Sequence, residues 1–271
     1  MIEPWIGILL VLATFTALFA VFSIIGPILQ PEVLRKGLHI TMGLTTLTFP
    51  WLFESAWPVI LVVAACALAF LGVHAHLPLL RRLAHALERI RRVSVGEFCF
   101  VAATAILFVL AADDPVLYCI PMLLLTLADA AAALVGTAYG RHRYPSVGDY
   151  KTVEGSAAFL LVAFACIAVP LAWFTPASNA DAVAVAALVA MAVTVLEGAF
   201  GGGFDNLLVP LGAFAAIKAT GLTSGQPAAL ESGSPIVVAA LSLAAALLLL
   251  LVAGLTSWRR ANQLKQSATR D

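Results

Sequence analysis

The sequence predicts an all-α polytopic membrane protein with about nine transmembrane helices. Hydrophobic residues make up 62% of the 271 residues, only 11% are charged, and the mean hydropathy is +1.02. Apolar runs that approach or exceed the roughly 20 residues needed to cross a bilayer recur along the chain. These runs are continuous and do not alternate with polar residues, which excludes a transmembrane β-barrel.

The predicted spans are separated by short polar or glycine- and proline-containing connections, such as Gly26-Pro27 after the first span. The eighth span is short, and residues 201–221 are also compatible with a re-entrant segment. The four cysteines lie in or beside apolar runs at no metal-ligand spacing and are predicted to be unpaired packing residues. The nine predicted spans are 5–25, 38–53, 56–73, 98–112, 116–139, 153–174, 180–200, 207–221 and 235–258.

The distribution of basic residues predicts the orientation of these spans. Every lysine and arginine except Lys218 falls in or beside alternate connections, which places the N-terminus outside and the C-terminus in the cytoplasm. We expect one transmembrane catalytic domain, residues 1–258, and a short basic tail, residues 259–271, in a protein of a bacterial cytoplasmic membrane. In this topology the polar stretches of several spans meet at the cytoplasmic side, as an active site at that interface requires.

Asp129 is the most informative single residue. It lies inside an otherwise apolar helix, where a carboxylate is costly and is therefore a functional candidate by default. The alternative to a functional role is that Asp129 only forms a hydrogen bond to a neighbouring helix. Gly136 and Gly140 follow, and then a basic connection leads to Lys151. The two glycines indicate either close helix packing or a backbone platform for phosphate groups.

Three further motifs carry charge at predicted helix ends. Arg35, Lys36 and His39 share one helical face, which suits either a phosphate clamp or a positively charged membrane anchor. Glu97 begins the fourth span, where a carboxylate is either a simple helix cap or a functional group. Glu197, three glycines and Asp205-Asn206 form a flexible turn with oxygen ligands suited to Mg²⁺; the alternative is a polar loop.

Residues 79–92 alternate leucines with arginines in the pattern of an amphipathic interfacial helix, and we expect this segment to contact anionic lipid. No G-x-x-x-x-G-K-[ST] loop is present, and no nucleic-acid partner is indicated. The role of Lys218, alone in an apolar span, and the oligomeric state are not predicted by the sequence.

These motifs together resemble the family of CTP-dependent lipid alcohol kinases, which includes dolichol, phytol and farnesol kinases and the fungal CTP-dependent diacylglycerol kinase. The resemblance spans residues 32–210 and is most specific in K-T-V-E-G-S, residues 151–156. The related phosphatidate cytidylyltransferases carry D-R-x-D where this chain has Asp205-Asn206-Leu207-Leu208. The missing arginine and second aspartate favour the kinase branch.

The resemblance implies transfer of the γ-phosphate of CTP to the hydroxyl of a membrane lipid, either an isoprenoid alcohol or diacylglycerol, with Mg²⁺ as cofactor. The expected metal ligands are Asp129, Asp205, Asn206 and Glu197. The expected nucleotide- and phosphate-binding residues are Arg35, Lys36, Gly136, Gly140, Lys151, Thr152, Gly155 and Ser156. The proposed catalytic residues are Asp129 and Lys151, with His39, Glu97 and Glu154 as candidates for accepting or orienting the hydroxyl proton. A cytidylyltransferase and a membrane transporter remain the alternative functions, and the lipid is not identified.

Overall fold

A computed structural model describes residues 3–26, 29–74, 95–112 and 114–223, and this part of the chain is mostly helical. Its α-helices are α1 Pro4–Ile25, α2 Pro31–Thr46, α3 Phe49–Leu52, α4 Ala56–His74, α5 Gly96–Ala111, α6 Pro115–Leu123, α7 Asp129–Tyr139, α8 Val153–Phe174, α9 Asn179–Ala199 and α10 Asp205–Thr220. Two short strands, β1 Arg143–Ser146 and β2 Asp149–Thr152, lie between α7 and α8.

Four helical segments in the described residues are long and apolar enough to cross a membrane, and two shorter apolar helices, Ala56–Gly72 and Gly96–Ala111, accompany them. Large apolar side chains on the outer faces of these helices are exposed, for example Leu161 on α8 and Val195 on α9, each at 71%. Such surfaces are stable in lipid and costly in water. The prediction of a multi-pass membrane protein is therefore confirmed. The count of nine spans and the orientation of the termini stay predictions.

The segment Pro115–Tyr139 is the most enclosed of the four, with 56% of its most apolar stretch buried. It comprises α6, a single π-helical turn at Leu124–Ala128, and α7. The π turn is closed by a hydrogen bond from the Asp129 backbone N–H to the Leu124 carbonyl. Such turns insert one extra residue into a helix and change which side chains face a neighbouring element. The turn ends where Asp129 begins α7.

The two strands correct the all-α prediction. Residues 143–152 form an antiparallel hairpin in which Arg143 pairs with Thr152 and Ser146 with Asp149. Gly148 closes the hairpin at φ +85°, a conformation that L side chains rarely adopt. The hairpin rests on the turn after α9, because the Val147 N–H donates to the Ala199 carbonyl and the Gly201 N–H donates to the Val147 carbonyl. Strands of four residues are too short for a periodicity argument to detect against a polar connection.

The second predicted span also differs from the structure. Helix α2 begins at Pro31, seven residues before the predicted start at residue 38, and ends at Thr46 before the separate short helix α3. Proline at the first helical position is favoured because its missing N–H is not needed there. Arg35, Lys36 and His39 consequently lie within α2, where Lys36 and His39 face Asp129 at the start of α7.

The four cysteines are free, as predicted. The residues of the eighth predicted span are helical in α10, whose end at Gly221 has the left-handed conformation typical of a helix C-terminus, but α10 is not among the helices long and apolar enough to cross a membrane. Whether this segment spans the membrane or is re-entrant stays a prediction. The amphipathic segment 79–92, the ninth span 235–258 and the tail 259–271 lie outside the described residues.

Candidate active site

A polar cleft with a volume of about 840 Å³ opens between α2, α7, the hairpin and the first turns of α8 and α10. We refer to it as the polar cleft. Twelve of the fifteen predicted site residues line it: Arg35, Lys36, Asp129, Gly136, Gly140, Lys151, Thr152, Gly155, Ser156, Glu197, Asp205 and Asn206. The predicted convergence of distant motifs on one site is therefore present in the fold.

Asp129 is paired with two residues of α2. Its Oδ2 atom lies 2.5 Å from Lys36 Nζ and 3.4 Å from His39 Nε2. The same His39 nitrogen lies 2.8 Å from the Leu125 carbonyl in the π turn. A carbonyl oxygen only accepts, so this contact requires that His39 Nε2 carries the proton. Lys36, with 4% of its side chain exposed, balances the buried charge that made Asp129 costly.

Lys151 is the centre of a second ionic group in the cleft. Its Nζ atom donates to Glu197 Oε1 at 2.7 Å, to Asp205 Oδ2 at 2.9 Å, and to the Glu197 carbonyl. Burial lowers the pKa of Lys151, but the negative charges of Asp205 and Glu197 outweigh it, so the net pKa is raised. Lys151 therefore stays protonated throughout the physiological range.

A short hydrogen-bonded chain supports this ionic group. Tyr144 on β1 and Ser156 on α8 share a hydrogen bond of 2.6 Å between their hydroxyl oxygens, and Ser156 Oγ also lies 3.2 Å from Glu197 Oε2. The hairpin thus fixes the second carboxylate oxygen of Glu197, while Lys151 holds the first.

The glycines serve helix packing and also line the cleft. A Cβ atom on Gly155 would lie 2.9 Å from the Ala132 carbonyl, and one on Gly136 would lie 2.8 Å from Thr152 Oγ1. Only glycine allows α7 and α8 to approach so closely. Thr152 caps α8 by accepting the Gly155 N–H at 3.1 Å. The positive N-terminal ends of α8 and α10 both reach the cleft, and helix N-termini favour anions.

The glycine turn before α10 contacts the start of α5. Gly202 and Gly203 have φ of +67° and +102°, and a Cβ atom on Gly203 would collide with the Gly96 backbone. Asn206 then donates its Nδ2 to the Gly96 carbonyl at 3.0 Å. This contact brings the N-terminus of α5, and with it Glu97, beside the cleft.

Three predicted site residues do not line the polar cleft. His39 and Glu97 instead line a smaller neighbouring cavity, while Glu154 lines neither. Glu154 accepts the backbone N–H groups of Arg141 and His142 and lies 2.7 Å from His142 Nδ1. These contacts tie the end of α7 to the start of α8 and separate Glu154 from the other candidate proton acceptors.

Several residues that line the cleft were not among the predicted site residues, although Glu32 and Arg143 belong to motifs that the sequence indicated: Glu32, Thr137, Arg143, Asp149 and Tyr150. Glu32 pairs with Arg35 through bonds of 2.5 and 3.2 Å. Arg143, Asp149 and Tyr150 belong to the hairpin. Their position at the site could have been predicted only if residues 143–152 had been recognised as two paired strands.

The charges around the cleft fit a site for a polyphosphate and a divalent cation. Four cationic side chains line it, Arg35, Lys36, Arg143 and Lys151, against five carboxylates, Glu32, Asp129, Asp149, Glu197 and Asp205. Because the carboxylates outnumber the cationic side chains by one, a polyphosphate would bind in this cleft together with a cation. No group of three His, Cys, Asp or Glu side chains surrounds one point in the described residues. Mg²⁺ takes one or two carboxylates and completes its shell with water and substrate phosphates, so Glu197 and Asp205 have the chemistry to hold one.

Comparisons with known proteins identify the family. No protein-family model matches the chain, and no solved structure matches it. A curated phytol kinase from Synechocystis sp. (strain ATCC 27184 / PCC 6803 / Kazusa) is 34% identical over 184 residues, which cover 67% of this chain and 76% of the relative. Together with the motifs of residues 32–206, this similarity shows that the chain belongs to the CTP-dependent lipid alcohol kinase family.

Proposed function

We propose that this protein transfers the γ-phosphate of CTP to the hydroxyl of a membrane isoprenoid alcohol of the phytol type. Membership of the family supports a kinase that acts on an isoprenoid alcohol. The single observation that carries the proposal is the polar cleft, in which the buried Lys36, the partly buried Lys151 and two helix N-termini surround a space of about 840 Å³. Phosphoryl transfer depends mainly on positioning the reactants and neutralising charge, and this is what such a cleft provides.

In the proposed mechanism, Arg35, Lys36 and Lys151 neutralise the phosphates, and the N-terminal N–H groups of α8 bind phosphate oxygens. Glu197 and Asp205 are the proposed Mg²⁺ ligands, with Asp129 and Asn206 as further ligands; the ion would supply charge neutralisation on the phosphates. The alcohol oxygen forms a bond to the γ-phosphorus, the bond from that phosphorus to the leaving nucleoside diphosphate breaks, and the hydroxyl proton passes to solvent or to His39 or Glu97.

A radiolabel assay tests this function. Purified protein is supplied with CTP or ATP labelled at the γ position, with Mg²⁺, and with phytol, geranylgeraniol, a polyprenol or diacylglycerol. We expect label in an isoprenoid phosphate with CTP as the better donor, and loss of turnover when Mg²⁺ is chelated. Label that enters lipid only from the α position would instead indicate a cytidylyltransferase.

Diacylglycerol is the second proposed acceptor. The radiolabel assay distinguishes it from the isoprenoid alcohols because each alcohol is supplied separately. We further propose that the cleft faces the cytoplasm of a bacterial membrane, where CTP is available, and that residues 79–92 contact anionic lipid. Labelling of single cysteines introduced into the hairpin of intact cells, with a membrane-impermeant reagent, tests the orientation.

A further inference from the structure

A second, smaller cavity lies beside the polar cleft, with a volume of about 70 Å³. We refer to it as the inner cavity. This is about the volume of two liquid water molecules, so it accommodates a hydroxyl and the first carbon atoms attached to it and no complete lipid. Its apolar wall comes from four helices: Phe19 of α1, Leu38 and Met42 of α2, Phe70 of α4 and Phe100 of α5.

The inner cavity adjoins the polar cleft directly. Arg35 and Asn206 line both spaces. Asn206 is 8% exposed and is fixed by its bond to the Gly96 carbonyl, while Arg35 is held by Glu32. A group in the inner cavity therefore lies across these two side chains from the site that we assign to the nucleotide phosphates.

Four polar side chains line the inner cavity beside its apolar wall. His39 and Glu97 line it together with Arg35 and Asn206, and the remaining side chains are apolar. His39 is fixed by the Leu125 carbonyl and by an edge contact to the Phe100 ring, with 5.0 Å between ring centroids. A space with an apolar wall and a few fixed polar groups is complementary to the end of an amphiphile that carries one hydroxyl.

The helices that form the apolar wall also border lipid. On α4, Leu68 and Leu71 are 68% and 53% exposed, although Phe70 between them is 9% exposed and faces inward. On α1, Val21 is 51% exposed, two residues after Phe19. In the described part of the chain, α1 and α4 therefore each have an inner face that lines the cavity and an exposed apolar outer face, as an acceptor that arrives from the bilayer requires.

From these contacts we infer that the inner cavity binds the hydroxyl end of the acceptor alcohol, while the rest of its chain lies among the apolar faces of α1, α2 and α4. This inference rests on the proposed function for the identity of the acceptor. It makes Met42, Phe70 and Phe100 determinants of acceptor specificity, and it gives His39 and Glu97 the role of hydrogen-bonding the hydroxyl.

Two measurements test the inference. In the first, unmodified protein is photolabelled with a phytol analogue that carries a diazirine near its hydroxyl, and labelled peptides are identified by mass spectrometry. We expect label on Met42, Phe70 or Phe100, with competition by phytol. In the second, Met42→Trp fills the cavity and is compared with Leu188→Trp, a similar increase in size at a position that is 65% exposed on α9. We expect Met42→Trp to raise the KM for phytol about tenfold or more and to leave the Kd for CTP unchanged, whereas Leu188→Trp changes neither.

The possible outcomes separate this inference from the proposed function. Turnover of phytol with label confined to other helices, or a folded Met42→Trp protein with an unchanged KM, would overturn the inference and leave the kinase function standing. Competed label in the inner cavity from a protein that phosphorylates no alcohol would support the cavity as an alcohol site and overturn the kinase function. Photolabelling needs no substitution, so the inference stays testable if Met42→Trp does not fold.

Discussion

Replacing Lys151 with methionine removes the one ammonium group that separates two carboxylates. Glu197 Oε1 and Asp205 Oδ2 lie 2.7 and 2.9 Å from its Nζ atom, so these oxygens are about 5.6 Å apart or closer. At an effective dielectric constant of about 20, two unit charges at that separation repel by about 3 kcal/mol. Removal of one partner from a buried ion pair costs about 3–5 kcal/mol by mutational experience.

We therefore expect Lys151→Met to lower the free energy of unfolding by about 3 kcal/mol, measured by denaturant titration in detergent micelles. We also expect phosphoryl transfer to fall by about 10²- to 10³-fold, because a preorganised positive charge near the phosphates is lost. Mg²⁺ should raise the melting temperature of Lys151→Met more than that of the unmodified protein if the freed carboxylates bind the ion.

Two controls separate stability from catalysis. Lys218→Met removes an exposed lysine whose Nζ atom lies 5.3 Å from the centroid of the Phe214 ring and which lines neither cavity. It should leave both stability and turnover nearly unchanged. The triple variant Lys151→Met/Glu197→Gln/Asp205→Asn should regain most of the lost stability and none of the activity. A Lys151→Met protein with unaltered stability would refute the ionic argument, and one with unaltered turnover would refute the catalytic role.

Three further predictions concern other parts of the site. Asp129→Asn removes the ionic partner of Lys36, and we expect kcat to fall by about 10²-fold or more in folded protein; turnover near that of the unmodified protein would exclude Asp129 from the phosphate and metal site. Gly155→Ala places a Cβ atom 2.9 Å from the Ala132 carbonyl. We expect this contact to lower the free energy of unfolding by about 1–3 kcal/mol, measured as a lower melting temperature. An unchanged melting temperature would show that α7 and α8 can separate without cost. Glu154→Gln weakens the contacts of the α7–α8 connection but touches neither cavity, so kcat should stay within about twofold of the unmodified value; a large loss of kcat at full stability would restore Glu154 as a proton acceptor.

The positions of the site residues were predictable because each stands out against its local background. A carboxylate at Asp129 within an apolar helix, or lysine and glutamate at the start of another, departs from the surrounding hydropathy whatever the fold. Their pairing was not predictable. Lys36 and Asp129 are 93 residues apart in the chain, and Lys151 and Asp205 are 54 apart, so nothing local indicates which cation meets which acid.

The sequence by itself determined that this is a multi-pass helical membrane protein with a polar site built from motifs at residues 32–39, 129–156 and 197–206. It could do so because hydropathy and charge are properties of each segment alone. Only the tertiary structure decided that residues 143–152 form a hairpin, that Asp129 is balanced by Lys36, and that His39 and Glu97 line a separate cavity. Those outcomes depend on how helices pack, because helix contacts in a membrane are set by shape and hydrogen bonding between segments distant in sequence.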